Sequence, residues 1–111
     1  MAIPKPATPG IDIVARIIKP ATDSPLEKGQ LVFGMAGTSP LAAAALAEYA
    51  AVQTKAAVPV PAGVDPIDAA TIGVAGLTAY QSIIPHIKPG SRVFLNGGSG
   101  GTGVFGMYVT F

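Results

Sequence analysis

Glycine and proline occupy 25 of the 111 positions, and they are spread from Pro4 to Gly106 rather than gathered at one end. Each proline removes a backbone donor and fixes φ, and each glycine weakens the interior of a helix or strand. The chain is thereby restricted to short elements joined by defined turns. A length of 111 residues suits one modest domain. Half the residues are hydrophobic and 12% are charged, which excludes a disordered acidic or basic tail. A net charge of +1 with no basic stripe argues against nucleic acid as a partner. Cysteine is absent and His86 is the single histidine, so disulfides, thiolate catalysis, cysteine zinc sites and multi-histidine metal sites within one chain are excluded. The start, Met1-Ala2-Ile3-Pro4-Lys5-Pro6, lacks the pattern of a signal peptide, and cytoplasmic residence is the default expectation. Three uncharged stretches, 29–47, 69–87 and 93–111, are broken by glycine, proline or polar residues; they read as buried segments rather than membrane spans.

Along the chain, residues 1–10 read as a proline-rich arm ending at the Pro9-Gly10 turn signal. The β-branched run Ile11 to Lys19 predicts a strand, Pro20 to Gly29 a polar loop, and Gln30 to Phe33 a second strand closed by Gly34. Met35 to Leu41 is a loop; the alanines after it favour a helix while the residues up to Gln53 look extended, so Leu46 to Gln53 reads as strand and 41–45 stays undecided. A short apolar run, Ala56-Ala57-Val58, precedes a proline-bounded turn. Asp65-Pro66-Ile67-Asp68 is the strongest local signal: an N-cap carboxylate, proline at the first helical position, and an acid in the positive first turn. The helix it starts is expected to run to Ile84 and stop at Pro85, with Gly73 and Gly76 inside it at points of close backbone approach. Lys88-Pro89-Gly90-Ser91 predicts a turn, and Arg92 to Asn96 a buried parallel strand. A helix is expected from Val104. There is no internal repeat.

Between that strand and that helix lies Gly97-Gly98-Ser99-Gly100-Gly101-Thr102-Gly103. Gly98, Gly100 and Gly103 satisfy G-x-G-x-x-G, where glycines permit a tight turn and close approach of backbone amides to a pyrophosphate at a helix start. The confirming half of the motif, an acidic residue about 20 positions on that would hold a ribose, is absent, because the sequence stops first at Phe111. A flexible glycine-rich tail is the alternative reading, and no Walker lysine follows.

Taken in order, Pro9-Gly10-Ile11-Asp12, Leu46-Ala47-Glu48-Tyr49, Pro59-Val60-Pro61, Asp68-Ala69-Ala70-Thr71, Gly76-Leu77-Thr78-Ala79-Tyr80-Gln81, Lys88-Pro89-Gly90 and the glycine loop resemble the medium-chain dehydrogenase/reductase superfamily. The resemblance is greatest to its zinc-independent quinone oxidoreductase and enoyl reductase branch, relative to which the chain is truncated at both ends. It implies a mixed α/β fold: a partial GroES-like β segment over 1–62 and the opening of a Rossmann-like nucleotide-binding domain over 63–111, in one compact unit. It implies NADPH as cofactor, no metal, and hydride transfer to a polarised double bond in a small-molecule substrate. Carried over position by position, Gly98, Ser99, Gly100, Gly101, Thr102 and Gly103 would face the pyrophosphate, and Thr78 would lie near the nicotinamide. No catalytic residue transfers. The family's Gly-Asp turn before the second strand appears here as Gly29-Gln30, and its zinc-binding Gly-His-Glu is not found.

Other polar residues have plainer readings. His86 follows Pro85 at a helix end, where a cation suits the negative terminus. Asp12 is expected to point outward from its strand, Glu48 and Tyr49 to pin barrel to sheet, and Tyr80 and Gln81 to serve packing or an interface. Ser39 and Ser99 lack a histidine–carboxylate pair. A second class of function stands beside the oxidoreductase: a cofactor-free scaffold, binding protein or small catalyst. Unpaired strand edges predict a homo-oligomer, most simply a dimer.

Overall fold

The computed structural model describes residues 7–37 and 44–110. The fold is mixed α/β, and the contacts divide it into two compact units, 1–73 and 74–111.

The first unit is built on a three-stranded antiparallel sheet in the order β1 (Asp12–Arg16), β2 (Leu31–Met35), β3 (Ala57–Pro59). Val14 stands opposite Phe33, and Val32 opposite Pro59. β1 occupies the centre of its predicted run, and pairing continues beyond it through Ala36 N–H to Ile11 C=O and Ile17 N–H to Gln30 C=O. At the β1–β2 end, Gly29, at φ +82°, donates to Ile17 C=O, so Gly29 and Gln30 both face Ile17. This is a glycine bulge, and it needs a residue that tolerates positive φ. The Gln30 side chain accepts from Glu27 N–H at 2.9 Å, so an amide oxygen here closes the turn where the family pattern has a carboxylate.

Gly34 does not close β2; the strand passes through it. A Cβ at Gly34 would overlap the Ala56 carbonyl and sit 3.0 Å from Ala57 Cα, so glycine lets β3 lie close across β2. The core is small: Val32, 1% exposed, packs with Leu26 and Ala57, and Ile17 and Val52 flank them. Burying a valine of this kind contributes about 1.5–3 kcal/mol. The expected strand at 46–53 is not formed. Its alanines offer little apolar area, and its backbone is held at its ends, where Leu46 N–H bonds Pro9 C=O beside Ala45 N–H on Gly10 C=O, and Gln53 C=O accepts from Ala56 N–H. Gly10 takes a positive φ of +98°, but the turn expected at Pro9-Gly10 is not formed: these residues run extended, and their carbonyls receive the Leu46 and Ala45 amides. Residues 41–43 and Ser39 lie outside the described residues.

Asp65 caps α1 (Pro66–Ala70), accepting from Ile67 N–H at 2.7 Å, with Pro66 in the first turn. α1 packs on β1 and β2 and buries Ala69 completely. The single helix predicted to Ile84 is instead two. Thr71 Oγ1 donates to Asp68 C=O, and the Thr71 and Ile72 amides bond three residues back, which tightens and ends the first turn. The unit finishes at Gly73, where a Cβ would overlap the Asp12 carboxylate and lie 2.8 Å from Gly34 C=O. The predicted close approach at Gly73 is therefore present, at a helix start rather than inside a helix.

The second unit contains most of α2 (Gly73–Ile83), a 3-10 turn (Ile84–His86) and α3 (Gly101–Thr110). The α-helix ends at Ile83, one residue short of the expected Ile84, and Pro85 sits early in the 3-10 turn that follows, where no amide is required. Lys88 to Ser91 forms the predicted turn, with Gly90 at φ +84° and Ser91 N–H on Lys88 C=O. Residues 92–96 are not a strand, because no strand among the described residues of this unit lies alongside to take their hydrogen bonds. Phe94, expected to be buried, is 91% exposed, and Met107 and Tyr108 are exposed as well. α3 crosses close to its neighbours at Gly106, which is buried; a Cβ there would lie 3.2 Å from Ile83 and 3.4 Å from Leu95. Among the described residues, no helix is long and apolar enough to cross a membrane.

Candidate functional site

The glycine loop forms a turn that runs directly into α3. Gly97 takes φ +79°, and Gly100 N–H returns to Gly97 C=O at 3.0 Å. The helix starts at Gly101, three residues ahead of the sequence expectation, and its first internal bond runs from Val104 N–H to Gly100 C=O at 2.9 Å. The amides of Gly101, Thr102 and Gly103 precede that bond and belong to the donors a helix start leaves without an intrahelical partner. No acid occupies the first turn of α3.

The glycines divide into two groups by what a side chain would meet. A Cβ at Gly103 would overlap the Gly97 carbonyl and stand 2.7 Å from Gly98 Cα, so the turn itself requires glycine there. At Gly98, Gly100 and Gly101 the nearest atoms lie at 3.9, 3.4 and 3.5 Å, which is ordinary contact. The fold accounts for Gly97 and Gly103; it does not demand the other three. What those three supply is bare backbone at the mouth of a helix, a surface that admits close approach of an anionic group such as a phosphate. The residues present therefore fit the pyrophosphate that the motif implies.

Gly97 was not among the predicted site residues, although the Asn96-Gly97 dipeptide is a turn signal that assigns positive φ to the glycine. Ser99 and Thr102 are exposed beside the loop. Thr78 is exposed on α2, three residues along from Ala75, whose Cβ is the neighbour that Gly101 would touch. Residues three apart share a helix face, so Thr78 falls on the side of α2 that meets the start of α3. Tyr80 and Gln81 are exposed on the same helix, and His86 is exposed at the end of the 3-10 turn. Glu48 and Tyr49 pin nothing: both are exposed, on the rim of an open cavity of about 850 Å³ that lies along β1 in the first unit. Asp12 is exposed as expected, with its carboxylate against Gly73. Among the described residues, no group of three His, Cys, Asp or Glu side chains gathers where a metal ion would sit.

No family model matches the chain, and no solved structure matches it. It is similar to the trans-enoyl reductase pgmF of Aspergillus terreus, 46% identical over 94% of this chain and 31% of the relative. It is also similar to the quinone oxidoreductases of Pongo abelii and Homo sapiens, each 36% identical over 89% of this chain and 30% of the relative. The chain spans about a third of the length of these curated relatives. Over that span it belongs to the medium-chain dehydrogenase/reductase superfamily, in the company of its trans-enoyl reductases and quinone oxidoreductases.

Proposed function

We infer that the chain carries the pyrophosphate-binding part of an NADPH-dependent oxidoreductase that reduces a polarised double bond in an enone, quinone or enoyl thioester. The observation that supports this most is the pair of facts at the glycine loop. Gly98, Gly100 and Gly101 lack side chains without a packing reason, and they flank the amides that open α3. In this reading the amides of Gly98, Ser99, Gly101, Thr102 and Gly103 donate to the pyrophosphate, the Gly100 amide closes the turn, and the dipole of α3 favours the charge. Ser99 and Thr102 offer hydroxyls beside the same group, and Thr78 lies toward the nicotinamide. NADPH supplies the hydride. The chain's own residues bind and orient it, and none is assigned a proton-transfer role. Residues 1–62 and 63–111 are read as GroES-like and Rossmann-like segments of that architecture, and similarity to a trans-enoyl reductase and to quinone oxidoreductases supports the reaction class.

One observation favours the second reading, a cofactor-free scaffold or small binding protein. A dinucleotide site of this type sits at the edge of a parallel sheet, and residues 92–96 stand outside any sheet among the described residues. Thermal melting with NADPH separates the two. At a concentration 100 times its dissociation constant, a ligand of the folded state adds about 2.7 kcal/mol. A rise in Tm with NADPH, absent with a nucleoside lacking phosphates, is the expected result; a folded chain unmoved by millimolar NADPH supports the scaffold.

A further inference from the structure

Asn96 is the only asparagine in the chain, and glycine follows it. Asparagine is a thermolabile residue, and a following glycine exposes it most, because a nitrogen with no Cβ beside it reaches the asparagine side-chain carbon without steric hindrance. The structure leaves both groups unprotected. Asn96 is exposed at the end of the unpaired segment 92–96, and its side chain makes no hydrogen bond among the described residues. Gly97 is exposed at φ +79°, its N–H donates to no described group, and a Cβ on it would meet nothing within 4 Å. Backbone with no ladder to hold it rearranges at little cost. The Gly97 carbonyl lies against Gly103, in the first turn of α3, so residue 96 stands one peptide away from the open amides of the glycine loop.

We propose that Asn96 is a self-modification site, and that its conversion to a carboxylate closes the glycine loop to anions. The Gly97 backbone nitrogen attacks Cγ of Asn96. The new N–Cγ bond forms as the Cγ–Nδ2 bond breaks, and solvent carries the Gly97 amide proton to the departing nitrogen, which leaves as ammonia. Water then opens the cyclic imide: attack at Cγ yields aspartate, and attack at the main-chain carbonyl yields isoaspartate. Water enters and ammonia leaves, with no oxidant or cofactor. Either product places a negative charge beside the start of α3, whose first turn holds no acid. That carboxylate is drawn to the same amides and dipole that a phosphate would use, and it repels an approaching phosphate. Isoaspartate also lengthens the main chain by one atom beside Gly97, whose carbonyl closes the turn with Gly100 N–H. The loss of nucleotide rests on the pyrophosphate reading of the loop; the conversion of Asn96 does not.

Freshly prepared chain, aged in water enriched in heavy oxygen and cleaved after Arg92 by trypsin, tests this. Mass spectrometry of 93–111 is expected to show a heavy-oxygen carboxylate at residue 96, part of it isoaspartate. The rate should lie within about tenfold of that of an unstructured peptide spanning 92–100. Asn96→Gln, whose ring would need one more carbon, should stay unconverted. In calorimetric titration, Asn96→Asp should bind NADPH at least about tenfold more weakly than the fresh chain. The aged chain should lose binding capacity in step with conversion, while Asn96→Gln keeps on ageing the affinity it began with. Circular dichroism checks folding; should Asn96→Asp unfold, the aged chain decides. A folded chain whose Asn96 stays intact while the peptide converts overturns the site. Conversion with undiminished NADPH affinity overturns the closure of the loop. A fresh chain that binds no NADPH refutes the pyrophosphate reading instead, and the mass spectrum still decides the site.

Discussion

Alanine placed at each loop glycine separates what the fold needs from what a ligand needs, and Gly103 is the sharpest case. Its new Cβ would overlap the Gly97 carbonyl and crowd Gly98 Cα at 2.7 Å. Both are backbone atoms of a turn closed by the Gly100–Gly97 bond, so neither can move aside without opening it. Overpacking of this kind costs about 1–3 kcal/mol. Against it stands the gain of alanine over glycine in a helix, at most about 1 kcal/mol. Gly103→Ala is therefore expected to lose about 1–2 kcal/mol net. Gly101→Ala meets only Ala75 Cβ at 3.5 Å and keeps the helix gain, so it should be neutral or stabilising by up to about 1 kcal/mol. Gly98→Ala, with Met107 Sδ at 3.9 Å as its nearest neighbour, should melt with the parent. Near this chain length 1 kcal/mol corresponds to roughly 4 °C in Tm, and thermal melts followed by circular dichroism resolve the order. All three variants should lose NADPH affinity, whatever their stability. The reasoning fails if Gly103→Ala melts with the parent, or if Gly101→Ala loses as much as Gly103→Ala.

Three further substitutions probe the first unit, each read by urea titration. Asp65→Ala removes the cap on Ile67 N–H and should cost about 1 kcal/mol; Asp65→Ser, which retains an acceptor, should restore most of it. Gly34→Ala forces a Cβ into the Ala56 carbonyl at φ +155° and should cost at least about 2 kcal/mol, with loss of amide protection in β3. Gln30→Leu leaves the exposed Glu27 amide to water and should cost no more than about 1 kcal/mol, while Gln30→Asp should retain the turn.

What the sequence made legible was local. Asp65-Pro66 and Lys88-Pro89-Gly90-Ser91 specify their structures within four residues, and both form as read. β1 was visible because β-branched residues cluster there, and β2 because Leu31-Val32-Phe33 is a short apolar run. β3 was not, since three residues as bland as Ala57-Val58-Pro59 become a strand only through pairing with β2 far away in sequence. The reverse error fell on 92–96: Val93-Phe94-Leu95 has the composition of a buried strand, but a strand exists only where a neighbour accepts its hydrogen bonds. The break after Ala70 turns on a threonine hydroxyl competing for a backbone carbonyl, which helix propensity does not register. At the glycine loop the motif located the turn and the helix start. It could not tell Gly103, fixed by packing, from Gly98, Gly100 and Gly101, whose backbone is left bare.

Amide chemical shifts of the isotopically labelled chain, followed as NADPH is added, test the nucleotide site most directly. Saturable shifts centred on Gly98 and on Gly100 to Gly103, reaching Thr78 on α2 and abolished by Gly98→Ala without loss of fold, are the predicted result. Resonances of those residues that stay fixed while the rest of the spectrum shows a folded protein would contradict dinucleotide binding at this loop.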